Sequence, residues 1–336
     1  MIIKNDLFKK RWCKFKSKKM SYYSFLLLVF LIVLTFIAPI ISNNKPLILK
    51  YNQKYYFPIL KDYNVKQFNI QDSFEINYKK LKLDVTDYAI WPFVQWSPFE
   101  SNSNVENYPS KPTINNILGT DDRGRDVFTR LLYGFKYSIT YAVFVWAISL
   151  IIGIFLGGVM GFFGGKVDFV GQRVVEILST VPTFFLLIIL ISIFSPSLLL
   201  LILITSIFSW INISYYVRAE FLKNRNKEYV EAAKSLGASS YSLIFKHILP
   251  NSLTPVITFA PFTIAAEIVG LASLDYLGFG LQIPTPSWGE LLSEAQKNYS
   301  TAWWLALYPS LALFIILTLL NLTGQGVREA MQPFED

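Results

Sequence analysis

Residues 228–250 read EYVEAAKSLGASSYSLIFKHILP, a polar, helix-forming segment between two long apolar runs. It contains the spacing E-A-A-x3-G-x11-L-P, formed by Glu231, Ala232, Ala233, Gly237, Leu249 and Pro250. Ala232, Ala233 and Leu236 share one side of a short helix. Gly237 can adopt the left-handed conformation that ends a helix, and Ser239 or Ser240 can cap a second one. Pro250 suits the start of a following helix, which needs no backbone N–H. This EAA segment is therefore predicted to fold as helix, turn and helix at the foot of a membrane span.

The composition of the chain is that of a membrane protein. Of its 336 residues, 53% are hydrophobic and 16% are charged, and the mean hydropathy is +0.39. A soluble domain carries more charge. The net charge of +8 then reflects basic segments that flank the membrane, and it does not indicate nucleic-acid binding. Cys13 is the single cysteine in the sequence, which excludes an intrachain disulfide and a cysteine cluster.

Six apolar runs are long enough to cross a bilayer, which takes about 20 residues. They cover residues 22–41, 137–160, about 174–194 with a kink at Pro182, 198–217, 251–274 and about 302–322. A secretory signal peptide is the alternative for the first run, but no convincing cleavage site follows it. Residues 1–20 hold eight Lys or Arg and one acid, which predicts a cytoplasmic N-terminus. Six spans then place the C-terminus in the cytoplasm as well, together with the EAA segment.

The rest of the chain divides at the first span. Residues 1–42 are predicted to form the cytoplasmic N-terminus and the first transmembrane helix. Residues 43–117 are polar and rich in aromatic side chains, which predicts an ordered extracytoplasmic insert. Residues 118–332 form the main transmembrane domain. The expected fold class is an all-α, polytopic membrane protein with a long insert after its first helix.

Residues 118–134, LGTDDRGRDVFTRLLYG, form a second distinctive stretch, the GTD segment. Its plain interpretation is a turn followed by an N-capped helix at the outer membrane surface. The pattern Asp121-Asp122-x-Gly124 could also belong to a calcium loop, but the other acidic ligands of an EF-hand are missing.

Two acidic residues stand in or near the fifth span. Glu267 is the one acid deep within a span, and an ionisable group there is a functional candidate because burying it is costly. The alternative is a structural role, in which Glu267 forms hydrogen bonds that hold neighbouring helices together. The two interpretations are equally favoured. Asp275, near the outer end of the same span, could face a transport path, although a role in a helix-end turn is favoured.

The sequence contains no motif for chemistry of its own. No G-x4-G-K-[ST] phosphate-binding loop is present, so the chain is not expected to hydrolyse ATP. With one histidine and one cysteine, neither a metal site nor a catalytic thiol is expected, and no cofactor is assigned to this chain.

Residues 118–332 resemble the permease subunits of the dipeptide, oligopeptide and nickel ABC importers. The EAA segment looks like the loop with which such permeases dock into their ATPase. Further markers are the GTD segment, residues 164–168 (GGKVD), residues 277–280 (LGFG), residues 286–290 (PSWGE) and residues 324–330 (GQGVREA). Short matches in the first third, including Asn44-Lys45-Pro46-Leu47 and Tyr56-Phe57-Pro58, are similar to the Yej-type permeases linked to oligopeptides and microcin C.

The resemblance implies a type I ABC importer permease in the cytoplasmic (inner) membrane. It implies that the chain is a transport subunit rather than an enzyme, and that its cargo is peptide, including peptide antibiotics. The implied partners are ABC ATPase subunits that bind ATP and Mg, a second homologous permease, an extracytoplasmic solute-binding protein and membrane lipid. A secondary transporter is the alternative, but it more often shows broken helices and internal repeats, and it leaves the EAA segment unexplained.

Overall fold

Helices make up most of the computed structural model, which describes residues 2–68, 76–81, 83–84, 86–194 and 196–332. The longer helices are α1 Ile2–Ser17, α2 Lys19–Phe36, α4 Val127–Phe163, α5 Gly165–Ser179, α6 Thr183–Ile193, α7 Leu198–Asn224, α8 Glu228–Ser235, α11 Thr254–Tyr276, α12 Trp288–Lys297 and α13 Trp303–Met331. Three short helices are α3 Ala38–Ile41, α9 Ser240–Ser242 and α10 Leu249–Ser252. The predicted helical class is confirmed.

Five of the described helices, α2, α4, α7, α11 and α13, are long and apolar enough to cross a membrane. The predicted third span differs from a single kinked helix. It breaks into α5 and α6, whose axes differ by 72°. Pro182 lies at this break with extended backbone angles, and its missing N–H removes a hydrogen bond that a continuous helix would need.

Both helices of the bent pair pack against α7. Near the start of the pair, Asp168 of α5 forms a bidentate ion pair with Arg218 near the end of α7, with 2.7 Å between Oδ2 and Nη2. At the other end, α6 stops at Ile193 and α7 begins at Leu198. Counted as one span, the pair brings the number of candidate spans in the described part of the chain to six, the number predicted from the sequence.

The chain forms two compact units, each built from separated stretches. The first unit contains Met1–Val29, Ser138–Gln282 and Leu313–Asp336, and the second contains Phe30–Tyr137 and Ile283–Ala312. This grouping is by contact, whereas the division at residues 42 and 117 follows the sequence and stays a prediction.

A small antiparallel sheet lies in the insert, within the second unit. Strand β1 Ile48–Tyr51 pairs with β2 Lys54–Tyr56 on one side and with β3 Tyr88–Ile90 on the other. Leu49, at the centre of β1, is 1% exposed and packs in an aromatic core with Phe68 and Tyr78. The insert is thus ordered through much of its described part, as predicted, and it adds a sheet to an otherwise helical chain.

The GTD segment forms a buried ionic network, also in the second unit. Asp121 Oδ2 accepts a hydrogen bond from Arg125 Nε at 2.6 Å and lies 3.3 Å from Arg130 Nε. Arg125 Nη2 reaches Glu290 and Glu294 of α12 at 3.1 Å each, and Arg130 pairs with Glu290. Asp126 accepts from the Thr129 N–H at 2.8 Å and caps α4. The predicted turn and capped helix are confirmed. The Asp121 carboxylate is paired with arginine side chains, which disfavours a calcium loop.

The network holds more acid than base. Four carboxylates, those of Asp121, Asp126, Glu290 and Glu294, are buried with only two guanidinium groups, those of Arg125 and Arg130. Burial, followed by the charges of Asp121, Asp122 and Glu290, raises the pKa of Glu294 to about 9. Burial also raises the pKa of Asp126, despite its hydrogen bonds from Thr129 and Asn116. The excess of acid therefore favours the protonated form of Glu294, although Arg125 Nη2 lies 3.1 Å from its carboxylate.

Candidate coupling and transport site

The first half of the EAA segment is helix α8, which ends at the glycine. The Leu236 N–H still bonds to the Ala232 carbonyl, and the Ala238 N–H bonds to the Ala233 carbonyl across the turn. Between them, Gly237 has φ +81°, the left-handed conformation that favours glycine. The predicted helix end at Gly237 is confirmed.

The second half begins with a capped helix, as predicted, but continues differently. The Ser239 hydroxyl accepts a hydrogen bond from the Ser242 N–H at 3.3 Å and caps α9. The chain then forms a π-helical turn over Leu243–Ile248 before α10 begins at Leu249. Pro250 occupies the first turn of α10, where its missing N–H costs nothing. The π-helical turn was not predicted, since it leaves no plain mark in a sequence.

The predicted coupling residues occupy different environments. Glu231, Ala232 and Gly237 are exposed, whereas Ala233, Leu249 and Pro250 are partly buried. Ala233 and Leu249 pack against an apolar cluster beneath the segment. In the described part of the chain, no salt bridge to Glu231 is formed, so its carboxylate is open to a partner. The roles of these residues in coupling stay predictions.

Large apolar side chains stand exposed on the same segment. Leu236 is 88% exposed, Tyr241 70% and Phe245 50%. The rings of Tyr241 and Phe245 lie 4.6 Å apart, one helical turn from each other. Clustered exposure of large apolar side chains is typical of interaction surfaces. The sequence analysis missed these two rings, although their i, i+4 spacing was visible.

An apolar cluster joins the EAA segment to two membrane helices. Val230 of α8 and Leu243 and Ile248 of the π-helical turn pack with residues of α7 and α11. The α7 members are Ile213, Val217 and Phe221, and the α11 member is Val256. All seven are less than 7% exposed. The segment, α7 and α11 thus share one continuous apolar cluster.

Hydrogen bonds fasten the two ends of the segment to each other. Asn224, the last residue of α7, donates from Nδ2 to the Ser252 hydroxyl of α10 at 3.1 Å. Arg225, which follows it, donates to the carbonyls of Gly161 and Phe162 at the end of α4 at 3.3 Å. These hydrogen bonds thus hold the segment at the ends of α7 and α4, and the apolar cluster holds it against α11.

A cavity of about 290 Å³ lies between α7 and α11, and Glu267 is part of its wall. The Ser209 hydroxyl donates to Glu267 Oε1 at 2.9 Å. The cavity also touches Ile213 and Val256, two members of the cluster under the EAA segment. The same side chains therefore connect the segment with the surroundings of Glu267.

Asp275 lies at the last turn of α11 and is 7% exposed. Its Oδ1 accepts a hydrogen bond from the Leu281 N–H at 2.6 Å, and a side chain at position 280 would collide with it. This is the geometry of a residue that holds a turn, so Gly280 must be a glycine. A role for Asp275 in the transport path stays a prediction.

The chain is similar to proteins of one family. Residues 149–334 match the family "Binding-protein-dependent transport system inner membrane component". The inner membrane ABC transporter permease protein YejE of Escherichia coli K12 is 37% identical, over 96% of each chain. The peptidoglycan transport system permease protein YejE of Agrobacterium fabrum is 34% identical, over 97% of this chain and 92% of that protein. The dipeptide transport system permease protein DppC of Alkalihalophilus pseudofirmus is 34% identical, over 69% and 78%.

A solved structure shares the fold. It is an inward-facing conformation of the MetNI methionine ABC transporter, with a TM-score of 0.52 and 18% sequence identity, over 61% of this chain and 98% of that one. The likeness agrees with the predicted type I importer architecture of the membrane helices.

Proposed function

Since the chain belongs to the family of binding-protein-dependent transport system inner membrane components, it is a permease subunit of an ABC importer, and we propose that it moves peptides. Family membership sets the alternative of a secondary transporter aside. ATP hydrolysis then takes place in separate ATPase subunits that bind ATP and Mg. A second, homologous permease and an extracytoplasmic solute-binding protein complete the proposed complex.

The EAA segment is the proposed docking site of the ATPase. One observation supports this assignment: apolar side chains continue from the exposed surface of the segment into the buried cluster behind it. Leu236, Tyr241 and Phe245 offer an apolar surface, and the buried cluster behind it ends at the cavity of Glu267. Closure of the ATPases would push on this surface and tilt α7 against α11, which is the rigid-body type of switch.

The proposed topology places both termini and the EAA segment in the cytoplasm. Two contacts support a common side for the termini: Lys18 pairs with Glu329 at 2.6 Å, and Lys14 donates to the Gln332 carbonyl at 3.4 Å. Pro250, at the end of the EAA segment, lines one cavity of about 670 Å³ with Trp12 and Val327. The lysine-rich N-terminal segment supports a cytoplasmic position for that side, and the proposed topology then makes the insert extracytoplasmic.

The peptide cargo is supported by the relatives and by the GTD and EAA segments. The name of one relative refers to dipeptides and that of another to peptidoglycan. Peptide is the chemical class that dipeptides and the stem peptides of peptidoglycan share. We therefore propose peptides, with an inner-membrane location like that in the name of the Escherichia coli relative.

The test is ATP-driven uptake by the complete complex in proteoliposomes. We expect a labelled oligopeptide to accumulate only with ATP, the solute-binding protein and both permeases. Uptake without ATP would contradict the coupling. Accumulation of another solute class, with none of peptides, would contradict the cargo.

Cys13 provides an independent test of topology. It is exposed and is the one cysteine of the chain. A membrane-impermeant maleimide should label it in inside-out vesicles and not in intact spheroplasts. The reverse pattern would place the N-terminus outside.

A further inference from the structure

The cavity beside Glu267 is lined mainly by one face of each of two membrane helices, α7 and α11, and Trp146 of α4 completes its wall. On α7 the lining residues are Ser209, Asn212, Ile213 and Tyr216, and on α11 they include Val256, Phe259, Thr263 and Glu267. Their spacing of three and four residues is that of a helix face. Each face therefore presents a continuous strip to the cavity.

This strip is too polar to lie against lipid. Asn212 is exposed in the midst of α7, and the cavity surface adds the hydroxyls of Ser209 and Thr263 to the Glu267 carboxyl. A polar or charged group at membrane depth is costly unless it faces a water-filled space or a protein partner. The strip therefore faces the interior of the transporter.

In the described part of the chain, the Glu267 carboxyl group has an uncharged hydrogen-bond partner and no ion-pair partner. Among the described residues its side chain accepts one hydrogen bond, from the Ser209 hydroxyl at 2.9 Å, and no lysine or arginine forms a salt bridge with it. It stands near the middle of α11, Thr254–Tyr276. A carboxylate held away from bulk water without a cation carries an uncompensated charge. It needs either a proton or a cationic group that arrives with a ligand.

The shape and walls of the cavity fit one end of a peptide. Its volume of about 290 Å³ is at the lower limit of small-molecule sites, which span about 300–1,000 Å³. Trp146, Tyr216 and Phe259 provide aromatic walls, and the rings of Tyr216 and Phe259 are stacked with centroids 5.0 Å apart. Aromatic faces attract an ammonium group, and a nearby carboxylate pairs with it.

We propose that Glu267 binds the α-ammonium group of a peptide as it passes between α7 and α11. The inference rests on the proposed peptide cargo and adds a recognition element to it. The α-ammonium group is the one cationic group that unmodified peptides share whatever their side chains. A site for it lets the path engage many sequences through one contact.

The experiment uses the complete complex in proteoliposomes, with two peptides of the same sequence, one with a free and one with an acetylated N-terminus. We expect Glu267→Gln to raise the KM for uptake of the free peptide by about tenfold or more, the effect of losing one charge-assisted hydrogen bond in a dry site. The KM of the acetylated peptide should change little. Comparing each variant with the wild type cancels the selectivity of the solute-binding protein.

Two further variants define the role. Glu267→Asp keeps the carboxylate and should retain most of the preference for a free N-terminus. Glu176→Gln removes a carboxylate of α5 that pairs with Arg173 and does not line the cavity, so both peptides should behave as in the wild type.

The inference and the proposed function fail in different ways. If Glu267→Gln lost uptake of both peptides equally, Glu267 would have a structural role and the inference would be overturned. The proposed import of peptides would still stand. If Glu267→Gln does not assemble, equal effects of Glu267→Asp on both peptides would overturn the inference as well. A wild-type complex that imports neither peptide would overturn the proposed cargo itself.

Discussion

The GTD segment and the EAA segment are equally distinctive in sequence, but they are built in opposite ways. In the GTD segment the charged side chains are inside, and Asp121 and Arg130 are both fully buried. In the EAA segment the apolar side chains are outside, and Leu236 is 88% exposed. The first segment pairs its charged side chains within its own chain, whereas the second leaves large apolar side chains uncovered. A distinctive pattern alone therefore does not reveal whether it serves the chain itself or a partner.

The comparison makes a general prediction for mutants. Changes in the GTD network should alter the stability of this chain, because every charged group there has partners in the same chain. Changes on the EAA surface should alter coupling with little effect on stability. The following variants test the two halves of this statement, from the largest expected effect on stability to the smallest.

Arg130→Met should be the most destabilising. Methionine fills much of the space but leaves the buried acids of the network with Arg125 as their one remaining guanidinium partner, and removing one partner of a buried ion pair costs about 3–5 kcal/mol. We expect the detergent-solubilised chain to lose its folded, monodisperse state at a clearly lower temperature in size-exclusion assays. Arg123→Met is the control, because the Arg123 side chain is 50% exposed. Equal thermal stability of the two variants would contradict a structural role for the network.

Gly237→Asp should have a moderate effect on stability and a large one on transport. The residue has φ +81°, and the left-handed conformation costs a side-chain-bearing residue about 1–2 kcal/mol. The protein should insert and assemble, yet peptide uptake should be uncoupled from ATP hydrolysis. Glu231→Lys, which adds no backbone strain, should also uncouple.

Gly165→Asp separates strain from coupling. Gly165 also has positive φ, at +53°, and a side chain at either glycine would meet nothing within 4 Å. We expect a similar loss of stability with uptake retained. Normal peptide uptake by Gly237→Asp would refute the coupling role, and equal loss of uptake in both variants would assign the defect to strain.

Much of the fold could be predicted from the sequence, since apolar length alone locates the spans and Gly237 and Ser239 locate the turn and cap of the EAA segment. The 72° break before α6 was predicted only as a kink, because Pro182 shows where a helix is interrupted but not the angle. The ionic network could not be predicted, because Arg125 and Glu290 are brought together by folding across 165 residues of sequence. The cavity at Glu267 depends in the same way on the approach of α7 to α11.

Glu294→Gln should have a smaller, stabilising effect that depends on pH. Folding raises the pKa of Glu294 from an ordinary 4.5 to about 9, so the folded chain binds a proton that the unfolded chain releases between these values. The contribution of Glu294 to the stability of the wild type is therefore largest below about pH 4.5, and it falls as the pH rises towards 9. Glutamine imitates the protonated acid and should remove this slope.

The measurement is the midpoint of thermal unfolding at pH 5 and pH 8. At pH 8 we expect Glu294→Gln to unfold at least about 2–4 °C above the wild type, the shift that about 1 kcal/mol, less than one pKa unit, produces in domains of 150–250 residues. At pH 5 the two should nearly coincide. Destabilisation at both values would mean that Glu294 is ionised and needed by Arg125, whose Nη2 lies 3.1 Å away.

Leu236→Ser should leave the stability of this chain almost unchanged, within about 0.5 kcal/mol, because the side chain makes few contacts at 88% exposure. If Leu236 is part of the docking surface, losing it removes apolar area at an interface, where an anchor residue contributes about 2 kcal/mol or more. The ATPase should then copurify poorly with a chain of normal thermal stability. Ile114→Ser is the matched control, since Ile114 is 98% exposed but lies outside the EAA segment. If both variants retain the ATPase equally, Leu236 is not part of the docking surface, and the contrast between the two segments then rests on Tyr241 and Phe245.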